Sequence, residues 1–328
     1  MKQKILITGG AGFIGSHLTE LYLKDGHEVY CIDDLSTGSL DNIKYLQNND
    51  EFKERYHVSI DTVFNEELLT ELVGICDMVI HLAAAVGVKY IIDNPLSSIK
   101  TNINGTEVVL RLANKFRKRV LVASTSEVYG KQDKAPLVET DDITFGPSSK
   151  SRWSYASAKL IDEFLSLAYF RSTKLPVVVV RFFNTVGPRQ TGEYGMVIPN
   201  LVQQALGNKP VTVFGDGNQT RTFTHVSDVC KSLKLLMETE EAFGEVVNIG
   251  GVDEVSIKSL AEIIIEKTKS TSSLSFIPYK EVYNEDFEDM PRRVPCTDKL
   301  HSIIGYKPTT KLDTILDDVI SWFKTNAK

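Results

Sequence analysis

The stretch Ile5-Leu6-Ile7-Thr8-Gly9-Gly10-Ala11-Gly12-Phe13-Ile14-Gly15 decides the fold of this 328-residue chain. A short apolar run leads straight into glycines spaced three apart, and Leu18, Leu21 and Leu23 follow on a helical pattern. A strand, a tight turn and a helix N-terminus satisfy that order of residues. Gly9 permits the turn, Gly12 lets a pyrophosphate approach the backbone, and Gly15 lets the helix lie close on the strand. The N–H groups of the first helical turn, at Phe13 and Ile14, are then left for the phosphates. Residues 28–32 read as a second strand ending at Asp33. A carboxylate there accepts hydrogen bonds from an adenosine ribose and repels a 2′-phosphate, which selects NAD over NADP. A glycine turn with no nucleotide is the alternative.

Composition narrows the class. With 42% hydrophobic residues the chain can bury one large core or two joined ones. A net charge of −6 argues against broad nucleic-acid affinity, and the basic run at 115–119 reads as a solvated helix end. Cys31, Cys76, Cys230 and Cys296 are scattered, with no metal-ligand spacing. They suit reduced thiols, no metal site and a cytoplasmic setting. No apolar stretch is long enough to span a bilayer, and none precedes Ile5 as a leader.

Strand-like runs at 5–8, 28–33, 78–82, 119–124 and 177–182 alternate with helical patterns such as 106–115 and 155–172. Continuous Val/Ile/Leu runs indicate strands covered on both faces, hence an α/β fold: a Rossmann-type doubly wound parallel sheet. From Asn184 the texture turns rich in glycine and proline, as loops over the sheet's carboxyl edge would be. Residues 246–250 read as a strand returning to the main sheet, and helices follow at 259–269 and 312–323. The expected division is an NAD-binding part, 1–183 with 224–251 returning to it. A smaller, interleaved α/β substrate-binding part would comprise 184–223 and 252–328.

The second informative constellation is Tyr155-Ala156-Ser157-Ala158-Lys159, with Ser124-Thr125-Ser126-Glu127 upstream. Positions four apart share one helix face, so Tyr155 and Lys159 address one site. A neighbouring ammonium favours phenolate, which predicts a phenol of lowered pKa able to take a hydroxyl proton. An exposed surface pair is the bland alternative. His81 and His225 read as structural, since neither has partners that suggest a catalytic dyad.

Together these pieces resemble the extended short-chain dehydrogenase/reductases, the epimerase, dehydratase and decarboxylase group acting on nucleotide sugars. His81-Leu82-Ala83-Ala84, Asn102-Ile103-Asn104-Gly105-Thr106 and the stretches at 124–130, 181–189 and 214–228 match in order over nearly the whole chain. The resemblance implies NAD held also by Leu82, Ala83, Ala84 and Asn102, and by Lys159 at the nicotinamide ribose. It implies that Thr125 binds the sugar 4-hydroxyl, that Tyr155 removes its proton, and that a 4-keto sugar results. It places Asn184, Arg189 and Arg221 near the nucleotide diphosphate, Val197, Pro199 and Phe214 near the base, and Lys89 near the sugar. Arginine forks suit phosphate oxygens. A UDP-linked substrate and a homodimer are further implications; the apolar faces of 106–115 and 161–170 suit such a dimer and equally burial within one subunit.

Three reactions share the 4-ketone. Thr125-Ser126-Glu127 resembles the motif of UDP-glucuronate decarboxylases, and Pro291-Arg292-Arg293-Val294-Pro295 resembles their late Arg-x-Pro segment. Arg293 would then meet the reacting carboxylate. Alternatively Arg292 and Arg293 only pair with Glu285, Asp286, Glu288 and Asp289. A dehydratase needs two acid/base groups at C5 and C6, and Ser126 stands where one is expected. Decarboxylase is the first expectation, a 4-epimerase second, a 4,6-dehydratase third. An NAD-sensing scaffold is the non-enzymatic alternative, for which Thr125, Tyr155 and Lys159 together would have no use.

Overall fold

The computed structural model describes residues 2–326 apart from Asp133, Glu193, Tyr194 and 283–289, and it leaves aside the side chains of Val88, Lys89, Ile92 and Val282. Seven parallel strands form the central sheet, in the order Val246–Ile249, Val177–Phe182, Arg119–Thr125, Met78–His81, Lys4–Thr8, Glu28–Asp33, Tyr56–Ile60. The uninterrupted apolar runs have a direct reason. Ile5 and Ile7 enter one hydrophobic cluster with helix Val226–Glu238, while Leu6 between them enters another with helices Glu66–Ile75 and Pro95–Lys115. Side chains alternate across a strand, so a sheet covered on both faces needs apolar residues at every position. The strand order reverses at Lys4–Thr8, and ligands of such sheets bind outside the carboxyl ends at that reversal.

Two elements depart from the sequence expectation. Tyr56–Ile60 is a strand the sequence pattern did not single out; it lies at the sheet edge, where His57 and Ser59 can stay half-exposed. The helix expected at 106–115 runs from Pro95 to Lys115. Its first turns are polar, which hides the apolar period, but Pro95 at the first helical position supplies the required φ. The helix bearing Tyr155 is Arg152–Thr173.

After Phe182 the chain builds a third cluster around Ile198, Leu201, Leu260, Ile315 and Leu316, over the sheet's carboxyl side. It includes a three-stranded sheet in the order Glu254–Ser256, Thr220–Thr222, Arg292–Arg293. Among the described residues, no helix is long and apolar enough to cross a membrane, and no group of three His, Cys, Asp or Glu could hold a metal ion.

Candidate active site

The glycine turn is shaped for close approach. Gly9 has φ +73, and a Cβ there would meet Ala83 N at 2.8 Å; a Cβ on Gly15 would meet Gly9 O at 2.1 Å. Helix Phe13–Lys24 starts from Gly12 with no side-chain cap and no acid in its first turn. Its N–H groups and positive dipole end are therefore open to an anion. Asp33 is 8% exposed and accepts from Ala11 N at 2.9 Å and Leu35 N at 2.8 Å. Burial pushes its carboxyl above the usual range, and those two bonds oppose the rise. Each oxygen keeps a further lone pair for a ribose hydroxyl. The cradle fits NAD: Gly9, Gly12 and Gly15 with the Phe13 and Ile14 N–H groups would hold the pyrophosphate, and Asp33 the adenosine ribose.

Behind this cradle, Ala83 N donates to Thr8 Oγ1 at 3.2 Å, bringing the loop Leu82, Ala83, Ala84 against the glycines. His81 is buried between Thr8 Oγ1 at 2.8 Å and Thr106 Oγ1 at 3.3 Å. Burial first, and the Lys159 charge second, push His81 down to about 3, so it is neutral and structural. Asn102 Oδ1 accepts from Ala85 N at 2.8 Å and its Nδ2 donates to Ala85 O at 3.2 Å. Both ends of the amide thus hold the loop at Ala85.

Strand Arg119–Thr125 delivers Thr125 to the cleft, where its Oγ1 accepts from Glu127 N at 3.2 Å and caps the turn Ser126–Tyr129. Tyr155 faces it from the first turn of helix Arg152–Thr173, and Lys159 is 2% exposed one turn on. Burial first, then the charges of Glu127 and Asp162, push Tyr155 above its ordinary value, opposed by a hydrogen bond with Thr125. The reason is visible beside it: Lys159 Nζ lies 2.8 Å from Asp162 Oδ2, so much of its charge is already matched. One turn further, Glu163 accepts from Ser124 Oγ at 2.5 Å and grips Arg181 through bonds of 2.9 and 2.7 Å. Sequence reasoning missed Asp162 and Glu163. Their signal was acids three and four residues past Lys159, on the helix face that turns inward.

The late arginines separate. Arg292 is bound by exposed contacts to Glu254, at 2.7 and 2.8 Å. Arg293 is buried, with Nη1 3.5 Å from Ser126 Oγ and 3.7 Å from Glu127 Oε1. Glu285, Asp286, Glu288 and Asp289 lie outside the described residues, as does the Lys89 side chain. Arg293 is in register with Arg221, so two buried guanidinium side chains stand on neighbouring strands and share a face.

The remaining expected residues are placed as follows. Asn184 Nδ2 donates to Thr222 O at 2.9 Å, tying two segments over the sheet edge. Val197 and Pro199 open helix Val197–Leu206, and Phe214 ends strand Val211–Phe214. Arg189 bonds to Glu20, to Tyr45 Oη at 2.8 Å and to Ser16 Oγ at 3.4 Å. Left-handed backbone at Arg189 (φ +69) aims it at helix Phe13–Lys24, where Glu20 offers a carboxylate. His225 caps helix Val226–Glu238 by accepting from Ser227 N, a structural role.

Comparison with known proteins agrees with this geometry. The family described as GDP-mannose 4,6 dehydratase matches residues 6–319. A UDP-N-acetyl-alpha-D-glucosaminuronate decarboxylase of Bacillus cytotoxicus is 41% identical, covering 99% of this chain and 98% of that protein. The epimerase Mth375 of Methanothermobacter thermautotrophicus superposes with a TM-score of 0.89 at 29% identity, over 99% and 93% of the two chains. A UDP-glucuronic acid 4-epimerase of Bacillus cereus, solved with UDP-glucuronic acid and NAD, gives 0.86 at 29% identity over 98% and 99%. The chain belongs to this family, the NAD-dependent extended short-chain dehydrogenase/reductases that act on nucleotide sugars.

Proposed function

We propose that the protein decarboxylates a UDP-linked hexuronate. The observation that carries the reading is Arg293, a buried cation held at Ser126 and Glu127 beside Thr125 and Tyr155. A hexuronate brings its carboxylate to the sugar carbon next to C4, and a guanidinium there matches it by charge and by fork geometry. The B. cytotoxicus relative supports a 2-acetamido hexuronate as the preferred form.

NAD, when bound, supplies the reversible hydride acceptor that turns the sugar's C4 alcohol into a ketone. Thr125 hydrogen-bonds the 4-hydroxyl, and Tyr155 takes its proton, with Lys159 holding the neighbouring ribose. The ketone is β to the carboxylate, so the C5–C6 bond breaks with its electron pair passing into the enolate. Arg293 holds the departing carboxylate in position, and the Thr125 and Tyr155 hydroxyls stabilise the enolate oxygen by hydrogen bonding. Asn184 and Arg221 would line the diphosphate, with Val197, Pro199 and Phe214 at the base and Lys89 at the sugar.

The assembly follows the same reading. Helices Pro95–Lys115 and Arg152–Thr173 pack together and expose Leu96 and Phe164, each 65% accessible, as a seam for a homodimer. Residues 1–183 with 224–251 would form the NAD-binding part, and 184–223 with 252–328 the substrate-binding part. Four free cysteines suit a cytoplasmic setting.

Proton NMR of the products from UDP-glucuronate, UDP-N-acetylglucosaminuronate and UDP-glucose tests the reaction. Carbon dioxide and a C5 methylene are expected from the uronates. An inverted C4 with C6 retained would establish an epimerase instead, and a new C6 methyl from UDP-glucose a dehydratase.

A further inference from the structure

Helix Arg152–Thr173 carries an acid that the reaction above does not use. Asp162 is fully buried, its Oδ2 is 2.8 Å from Lys159 Nζ, and its Oδ1 has no hydrogen-bond partner among the described residues. Tyr155, Lys159 and Asp162 follow at intervals of four and three, so they form one stripe. Taking both charges from water costs solvation that their attraction only roughly offsets, so stability alone does not account for the pair.

We propose that Asp162 is a positioning residue for Lys159, fixing the ammonium with one charged hydrogen bond and offsetting its field at the Tyr155 hydroxyl. The inference rests on Tyr155 as the group that takes the substrate proton. Burial, then Glu127 and then Asp162 push the phenol up, and a hydrogen bond with Thr125 opposes them. Of the charges that act on the phenol Glu127 is the larger, and Asp162 is the one bonded to Lys159. On the same helix, Glu163 is engaged by Arg181. From strand Met78–His81, His81 is neutral. Burial pushes the Asp162 carboxyl above its ordinary value, opposed by Lys159 and then by Thr106 from helix Pro95–Lys115. From the turn at 126–129 and the late strand, Glu127 and Arg293 lie 3.7 Å apart as an ion pair.

The test is Asp162→Asn, which keeps the shape and removes the charge. The phenol's ionisation is read in the cofactor-free protein by ultraviolet absorbance, as the difference between each protein and its Tyr155→Phe counterpart. It is expected to move to lower pH, and the acid limb of kcat/KM with it. A limb lowered by one pH unit raises the rate about tenfold at pH values well below the midpoint. Phenol ionisation that stays in place or moves upward overturns the proposal. Asp162→Ser, which also removes the charge, must shift the phenol the same way; it decides the matter if Asp162→Asn does not fold. A phenol that moves while the kcat/KM profile does not would keep the role of Asp162 and overturn Tyr155 as the base.

Discussion

Acidification separates the structural histidine from the chemistry around it. His81 binds a proton only near 3 in the folded protein, against an ordinary value of 6.5 in the unfolded chain. Between those values the unfolded state carries more protons, so the contribution of His81 is complete above 6.5 and is lost as pH falls. From about pH 7 to about pH 5 this one group removes about 2 kcal/mol, at about 1.4 kcal/mol per pH unit of differential binding. Because His81 is fully enclosed between Thr8 and Thr106, solvent screening does not dilute that figure. His17, pushed down to about 4 by burial and then by Arg189, adds a slope of the same sign. Comparing the wild type with His81→Asn cancels it. Urea unfolding of both proteins at the two pH values is the assay. The stability advantage of the wild type is expected to shrink by about 2 kcal/mol at the lower pH. Parallel losses in both proteins would show that His81 is not held neutral, and the reasoning would fail.

Other substitutions address the site itself. Tyr155→Phe is expected to abolish turnover while calorimetry still registers NAD binding; turnover at the wild-type rate would refute Tyr155 as the base. Arg293→Gln should lower kcat for the uronates by about a hundredfold or more, since a preorganised charge at the reacting group is lost. A wild-type rate would return Arg293 to a structural role. Gly15→Ala places a Cβ 2.1 Å from Gly9 O, so the turn must open. NAD binding measured by calorimetry should be lost, and full retention would contradict the tight packing of that turn.

The sheet was legible because its strands answer to one rule. Ile5, Leu6 and Ile7 face alternate cores, so burial on both sides writes itself into consecutive apolar residues. Tyr56–Ile60 escaped because an edge strand is relieved of that demand, and the first turns of Pro95–Lys115 escaped because they are polar. At the site, spacing alone aligned Tyr155 with Lys159, since a helix fixes that geometry locally. What spacing does not carry is charge balance. Asp162 lies 2.8 Å from Lys159 and matches part of its charge, and the amide of Asn102 bonds at both ends to Ala85. Arg189 likewise finds Glu20, a residue far away in sequence, so no local pattern foretold its direction.

The strand Val246–Ile249 has a consequence for how the molecule is made. It pairs with Val177–Phe182, yet it is reached only after the chain has built helix Val197–Leu206 and helix Val226–Glu238. During synthesis, six strands of the sheet exist well before the seventh, and an open ladder of backbone groups faces solvent in the interval. A fragment cut at residue 183 would keep that raw edge permanently and invite intermolecular pairing. Residues 1–183 therefore carry an incomplete sheet, whose last strand is on loan from later in the chain.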